Sequence, residues 1–195
     1  GDVVEDTEGG KSPNCENRPA NQNEWGVIKT TAIQENNFLA DENKVLPNNF
    51  EIKDNYIIHI DDLLITRAGP KNRVGIVCYV KEEVSNLILS DKTIRIRNFK
   101  NFTNSAFLSY LLNSTLLNDI KESKMTGMAD SQVNISQDNM KLIPIVLPPL
   151  EIQERIVAKL DKLMGSCDAL EEQVKQSQQT NELLLQQVLR EALGA

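Results

Sequence analysis

One short segment of the chain gathers the residue types that bind phosphates and nucleotide bases. Thr66, Arg67, Lys71, Asn72 and Arg73 lie between two apolar runs that predict β-strands. The planar guanidinium of arginine can donate two hydrogen bonds to a phosphate or to the edge of guanine, and asparagine suits the edge of adenine. The segment therefore predicts a loop that binds nucleic acid. A basic hairpin that only contacts solvent is the alternative.

Three further segments carry candidate contact residues. Lys11 and Ser12 follow Gly9-Gly10 in a predicted loop, and a later loop contains Ser131, Gln132 and Asn134. An ordinary surface loop is the alternative in both cases. The run Thr93–Arg97 alternates apolar and basic residues, which predicts a strand with one buried face and an exposed face that carries Arg95 and Arg97.

The distribution of charge favours a local basic surface in an acidic chain. The 195 residues have a formal net charge of −7. Residues 63–100, however, contain eight bases and three acids, while residues 1–62 contain five bases and thirteen acids. Because salt screens charges beyond about 8–10 Å, the local field matters more for phosphate binding than the total charge. We expect residues 63–100 to face a polyanion.

The sequence gives little support to an enzyme. Leu147-Pro148-Pro149-Leu150 lacks the polar first residue and the terminal aromatic residue of an amino-methyltransferase motif, and no glycine-rich cofactor loop follows an early strand. His59 lies in an apolar run, and no nucleophile and base can be assembled around it. One histidine and three cysteines at unrelated spacings predict no metal site, no cofactor and no disulfide framework. Such cysteine use fits a reducing cytoplasm.

The elements that position these residues suggest an α+β fold. It comprises a globular domain over residues 1–148, rich in mixed or antiparallel β-structure and holding a few helices, and a long helix over residues 149–195. β-Branched runs predict strands within 25–28, 44–46, 56–60, 63–66, 74–80, 93–97 and 143–147. Residues 103–122 change to a helical period, and residues 123–139 predict a loop. The N-terminus lacks a secretory pattern, and no stretch is apolar enough to predict a transmembrane helix.

The C-terminal segment carries a heptad repeat, which predicts pairing with another helix. Successive positions of the repeat are separated by alternating steps of four and three residues, with two polar positions at Ser177 and Asn181. A small domain cannot cover so long an apolar stripe, although a shorter helix lying on its own domain is the alternative. The predicted pairing residues are Ile156, Leu160, Leu163, Cys167, Leu170, Val174, Asn181, Leu184 and Val188.

Several of these segments, in this order, resemble one known family. Leu147–Asp161 resembles the entry to the spacer helix of the DNA-specificity subunits of type I restriction–modification enzymes. Asp62–Gly69 with Arg73-Val74-Gly75, Gly10–Pro13 and Gln132–Ser136 are similar to segments of the target recognition domain in the same family. Together these matches extend over nearly the whole chain.

The resemblance implies a sequence-specific DNA-recognition subunit that carries out no chemistry itself. It implies double-stranded DNA as a partner, modification (methyltransferase) subunits that bind the helices and methylate adenine, and a restriction/translocase subunit in the full complex. The chain departs from the usual layout because it has one recognition domain and one spacer helix. It is either a half-subunit or a fragment of a longer chain. As a half-subunit it is expected to form an antiparallel homodimer and to recognise a palindromic site. A coiled-coil interaction module without a DNA role is the alternative function.

Overall fold

The computed structural model describes residues 3–194, with side chains described for all of these except 128, 129 and 193. Contacts divide the chain into two compact units, Gly1–Glu154 and Arg155–Ala195. The strands of the described chain are β1 (Val4–Gly9), β2 (Gly26–Ile28), β3 (Ile33–Gln34), β4 (Asn37–Phe38), β5 (Asn43–Val45), β6 (Leu63–Thr66), β7 (Ala68–Gly69), β8 (Val77–Tyr79), β9 (Leu87–Ile88), β10 (Thr93–Asn98), β11 (Met125–Ala129) and β12 (Gln132–Ile135). Its α-helices are α1 (Ser105–Asn113), α2 (Asn118–Ser123), α3 (Gln137–Lys141) and α4 (Leu150–Leu193), and 3-10 turns lie at Thr30–Ala32, Asp54–Tyr56, Lys71–Arg73 and Thr115–Leu117.

The central sheet of the first unit is antiparallel, in the order β1-β10-β6-β8. Thr93 of β10 lies opposite Thr66 of β6, and Leu63 lies opposite both Ile96 and Tyr79. The sheet therefore has two ends along its strands. The predicted binding loop departs from the Thr66 end, and the Leu63 end lies at the opposite end of the same strands. These two ends differ in how their charged residues are used.

Three smaller sheets surround the central one. They have the orders β11-β12-β7, β5-β2-β9 and β3-β4, and the β2–β9 pair is parallel while the other pairs are antiparallel. The fold class is thus confirmed as α+β, with mixed and antiparallel sheets, a few short helices and one long C-terminal helix.

The core forms where apolar runs are covered on both faces. Every residue of β6 is buried, because α1 packs on β6 and β8 while β10 and β8 pair with its two edges. Asn104 caps α1 by accepting a hydrogen bond from the amide of Phe107, which directs Phe107, Leu108 and Leu112 into the core. Burial also raises the pKa of Cys78 to about 12, so this thiol stays protonated at neutral pH.

Three local predictions were wrong. Tyr56 is the last residue of a 3-10 turn, and residues 57–60 form only an isolated bridge between Ile57 and Ile88. Residues 123–139 form the β11–β12 hairpin and α3 instead of a loop, because β12 pairs with β7 as well as β11. Residues 143–147 form no strand within the described chain, since prolines at 144 and 148 remove ladder donors.

Helix α4 has 44 residues, which corresponds to a length of about 66 Å. Its first turn is fixed by Gln153, which is fully buried. The side chain accepts from the amide of Asn104 at 2.9 Å and donates to the carbonyls of Phe102 and Pro148 at 2.8 and 2.7 Å. The domain boundary at 148/149 stays a prediction. No helix in residues 3–194 is apolar enough over a sufficient length to cross a membrane.

Candidate nucleic-acid interface

The three loop segments predicted to contact nucleic acid lie next to one another in the fold. The amide of Lys11 donates to the carbonyl of Leu89 at 3.2 Å, and the amide of Arg67 donates to the carbonyl of Lys92 at 2.9 Å. The amide of Ile135 in turn donates to the carbonyl of Arg67 at 2.8 Å. These backbone bonds connect four segments into one surface, which we call the rim: residues 10–12, 67–73, 89–92 and 130–135.

Side chains and close backbone approach hold the rim together. The hydroxyl of Ser12 donates to the carboxylate of Asp91 at 2.5 Å, and the amide of Lys71 donates to the carbonyl of Asp130 at 2.8 Å. A Cβ atom at Gly10 would lie 1.9 Å from the carbonyl oxygen of Leu89, so only glycine fits there. The first loop is therefore fixed against residues 89–92 by its sequence.

Thr66 is a structural residue of the loop base. It is fully buried, and its hydroxyl donates to the carbonyl of Arg73 and accepts from the amide of Ile76 at 3.1 Å. Gly75 closes the same turn at a φ of 84°, in the left-handed region that favours glycine. The prediction that Thr66 contacts DNA is wrong, because the side chain of Thr66 has no access to solvent.

Arg73 also turns towards the protein. Its guanidinium donates to the carbonyls of Thr30 and Ile33 at 2.9 and 2.7 Å and to the side-chain oxygen of Gln34 at 3.1 Å. These bonds join the binding loop to the turn before β3. Arg73 thus positions the loop through three of its N–H donors, while its Nε atom is buried without a partner among the described residues.

Arg67 and Asn134 keep hydrogen-bonding capacity that the described residues leave unused. Arg67 is half-buried, and its side chain forms no hydrogen bond or ion pair with any residue among 3–194. Its Nε atom is buried without a partner in that range, as is the Oδ1 atom of Asn134 on β12. An unsatisfied buried polar group costs free energy, so both side chains favour a conformation in which a ligand or water supplies the missing bond.

The remaining loop candidates lie on the surface of the rim. Lys71 forms an ion pair with Glu122 at 2.9 Å, and this carboxylate raises the pKa of Lys71. Asn72, Ser131 and Gln132 are exposed, as is Lys11. These side chains are placed to meet a ligand that lies across the rim.

Arg95 corrects the sequence prediction most clearly. The expected exposed face of β10 is covered at this position, and Arg95 is fully buried. Its guanidinium forms ion pairs with Glu8 at 2.5 Å and Asp62 at 2.9 Å and donates to the carbonyls of Asn55 and Ile57. The residue is a buried part of the fold and is not a contact residue.

Arg97 is exposed, as predicted, but it lies away from the rim. It forms an ion pair with Glu8 at 3.1 Å. Arg97 lies four residues along β10 from Thr93, and this separation corresponds to about 13 Å between the two residues. Asp61 and Asp62 border the same depression of the surface. Sequence reasoning placed Arg97 with the loop cations, whereas the structure separates it from them.

The heptad positions of α4 are solvent-accessible. Leu163, Leu170, Val174, Leu184 and Val188 are each more than half exposed. Cys167 and Asn181 are exposed too, Ile156 is exposed at 37% and Leu160 is partly buried. An exposed apolar stripe of this kind, interrupted at Ser177 and Asn181, is typical of helices that pair with another helix.

Sequence reasoning missed Lys92, whose carbonyl fixes Arg67 at the centre of the rim. A turn signal, Ser90-Asp91, directly before the predicted strand at Thr93 could have indicated that this lysine lies at a loop apex. Among the described residues, no group of three or more His, Cys, Asp or Glu side chains is arranged to hold a metal ion.

Comparison with known proteins gives consistent matches. A family model, the type I restriction modification DNA specificity domain, matches residues 1–178. The specificity subunit of the type I restriction enzyme EcoEI from Escherichia coli is 40% identical over 181 residues, which cover 92% of this chain and 30% of the relative. The StySPI specificity subunit from Salmonella potsdam is 26% identical over 174 residues, covering 88% of this chain and 37% of the relative. The chain thus spans about a third of the length of these relatives.

Solved structures share the fold. The HsdS subunit from Thermoanaerobacter tengcongensis superposes with a TM-score of 0.66 at 24% identity, covering 97% of this chain and 47% of that one. The S subunit of the type I restriction-modification system from M. genitalium gives a TM-score of 0.55 at 11% identity, covering 87% and 39%.

Proposed function

The chain belongs to the type I restriction modification DNA specificity family, and from that premise we propose that it reads a DNA sequence for a restriction–modification enzyme. In this proposal the globular unit is a target recognition domain that binds double-stranded DNA through the rim. The chain carries out no chemistry itself. Partner modification subunits methylate adenine at the recognised site, and a restriction/translocase subunit joins them for cleavage, in the cytoplasm.

The unused hydrogen-bonding capacity of Arg67 is the observation that carries this proposal. Arg67 lies where the backbone of the binding loop meets Lys92 on one side and Ile135 on the other. A guanidinium without a protein partner within residues 3–194 is available for the N7 and O6 atoms of guanine or for a phosphate. Asn134 on β12 carries the amide group that suits adenine, and its buried Oδ1 atom must become accessible before it can accept from a base.

The other surface residues of the rim surround this centre. Lys11 and Lys71 supply charge, which positions a duplex through its phosphates without reading sequence. Asn72, Ser131 and Gln132 are exposed side chains that can hydrogen-bond to base edges or to the sugar-phosphate backbone. Sequence preference would then arise from a few side chains, each contributing about 1–3 kcal/mol of discrimination.

Helix α4 supplies the second half of the proposed function. Its exposed apolar stripe supports pairing with another spacer helix, either from the same longer chain or from a second copy. Modification subunits would bind to the paired helices, and the helix length would set the distance between two recognised half-sites. If two copies pair in antiparallel orientation, two-fold symmetry makes the recognised site palindromic.

A titration with duplex DNA tests the proposed function. The chain, with and without its modification subunits, is titrated with target and shuffled duplexes at two salt concentrations. We expect weak binding by the isolated chain, because its net charge is −7, and strong, salt-dependent, sequence-specific binding by the complex. A complex that assembles through the helix but shows no preference between duplexes would support the alternative of a coiled-coil module.

Pairing of α4 is tested by placing proline at Ala169. Proline in a helix interior costs about 3 kcal/mol or more and would interrupt the stripe between Cys167 and Leu170. We expect the variant to lose its partner helix in sedimentation while the globular unit keeps its fold. An oligomeric state equal to that of the unmodified chain would contradict the role of the helix as a pairing element.

A further inference from the structure

A cleft adjoins the rim and is lined by lysines from three separate elements. It has a volume of about 380 Å³. Lys29 follows β2, Lys44 belongs to β5, and Lys92 precedes β10. The β2–β5 pairing brings the first two together, because Val27 lies opposite Lys44. Only Lys92 belongs to the basic segment seen in the sequence, so the fold creates this cluster.

The cleft keeps a net positive charge, because its three lysines exceed the two carboxylates beside them, Asp91 and Glu42. Lys29 forms an ion pair with Glu42 at 3.5 Å, but Lys44 and Lys92 form no ion pair or hydrogen bond through their side chains within residues 3–194. Asp91 is the one carboxylate among the lining residues, and the hydroxyl of Ser12 already donates to it. Burial raises the pKa of Cys15 in the same cleft, and the field of Lys44 opposes that rise. The local field therefore favours an anion.

Backbone and side-chain bonds couple the cleft to the rim. The carbonyl of Lys92 accepts from the amide of Arg67, and the carbonyl of Thr30, which lines the cleft, accepts from Arg73 at 2.9 Å. An anion held in the cleft therefore has a fixed position relative to the loop that carries Arg67. Positioning of this kind is how phosphate contacts set the register of a duplex.

We propose that this cleft binds backbone phosphates of the duplex whose bases the rim reads, with Lys44 and Lys92 as positioning residues. The inference rests on the proposed function and extends it. Phosphate contacts carry no sequence information, so the two lysines act on affinity and leave the preference between sequences to the rim. The same chemistry would also accept free inorganic phosphate, which the experiment separates.

The experiment uses the full-length chain assembled with its modification subunits. Duplex binding is measured at four salt concentrations for the unmodified complex, for the double variant Lys44→Gln/Lys92→Gln, and for Lys81→Gln. Lys81 is an exposed lysine that follows β8 at the Leu63 end, so it serves as a matched control. Each lost phosphate contact is expected to make the slope of log affinity against log salt shallower by about 0.9.

The expected result is a slope shallower by about 1.8 for each copy of the double variant on the duplex, an unchanged slope for Lys81→Gln, and an unchanged affinity ratio between target and shuffled duplexes. An equal thermal midpoint for all three proteins shows that folding is intact. If the unmodified complex prefers its target and the double variant keeps the full slope, the cleft proposal is wrong while the proposed function stands.

Two other outcomes also overturn the proposal. One is a collapse of the affinity ratio at an unchanged slope, which would make the lysines readers of sequence. The other combines two observations. Inorganic phosphate would raise the thermal midpoint of the unmodified complex but not that of the double variant, while both would show the same slope of log duplex affinity against log salt. That result would assign the cleft to free phosphate. A complex with no preference for any duplex would instead remove the proposed function, and this inference with it.

Discussion

The two ends of the central sheet use positive charge in opposite ways. At the Leu63 end, Arg95 and Arg97 share the carboxylate of Glu8, and Arg95 is also paired with Asp62. At the Thr66 end, Lys71 is paired with Glu122 and Arg73 is bonded to backbone carbonyls. The side chains of Arg67 and Lys92 at this end, however, have no ion pair within residues 3–194. The basic segment of the sequence thus divides into cations that stabilise the fold and cations that remain available to a ligand.

This division has a physical cause. β10 is an inner strand, with β1 and β6 on its two edges, and Arg95 lies on a covered face. A buried guanidinium is tolerated only when carboxylates and carbonyls satisfy it, and Glu8, Asp62, Asn55 and Ile57 do so. Arg67 lies beyond the end of β6, where it forms no ion pair with any described acid.

The largest expected effect comes from removing the buried cation. In Arg95→Met, Glu8 and Asp62 remain as half-buried carboxylates without their main partner, which we expect to cost about 3–5 kcal/mol in the free energy of unfolding. Urea denaturation followed by the fluorescence of the single tryptophan, Trp25, measures this change. A midpoint close to that of the unmodified chain would show that the ion cluster does not stabilise the fold.

Arg73→Ala is expected to have the next largest effect, through the loop it positions. The carbonyls of Thr30 and Ile33 lose their charged donor, which should cost about 2–3 kcal/mol of stability. Thermal midpoint and DNA affinity are expected to fall together, with partial recovery in Arg73→Lys. If affinity falls at an unchanged midpoint, Arg73 contacts DNA directly and belongs with the available cations.

Arg67→Ala is expected to weaken DNA binding without lowering stability, which is the reverse of the effect expected at the Leu63 end. Because its side chain makes no bond within the described chain, its removal should leave the thermal midpoint unchanged or slightly raised. In the assembled complex, binding to the target duplex should weaken by about 1–3 kcal/mol relative to a shuffled duplex. Arg97→Ala, at the Leu63 end, is the matched control. It should change neither the thermal midpoint nor the ratio of affinities for target and shuffled duplexes.

Glu122→Gln gives the smallest expected effect. The ion pair with Lys71 is exposed to solvent, which screens it, so stability should change little. Releasing Lys71 adds one available cation to the rim, and duplex affinity should rise a few-fold at low salt and converge with the unmodified complex at high salt. A decrease in affinity would indicate that Glu122 holds Lys71 in its binding position.

The sequence predicts the parts of the fold that depend on local pattern. Leu63–Thr66 is an apolar run and Thr93–Asn98 alternates β-branched and polar residues, and both become inner strands, while the repeat from Ile156 to Val188 becomes one helix. Gln132–Ile135 alternate polar and apolar residues, yet the sequence analysis assigned them to a loop together with the residues of β11. They form strands because β7, about sixty residues earlier, offers an edge to pair with.

The candidate site was predicted at the level of segments more than of side chains. The rim joins the expected loops, yet Thr66 and Arg95 are buried and Arg73 is bonded to the turn at residues 30–34. Arg95 illustrates the reason, since its partner Glu8 is 87 residues away in the sequence. Whether an arginine stays available depends on such distant carboxylates, and alternation along one strand does not reveal them.

Selection of preferred sites from a randomised duplex library by the assembled complex tests the central claim most directly. We predict that the unmodified complex selects one defined site, that Arg67→Ala relaxes the preference at one base position of the half-site, and that Arg97→Ala selects the original site. The account would be contradicted if Arg97→Ala altered the selected site while Arg67→Ala left it unchanged, because the available cations would then lie at the Leu63 end.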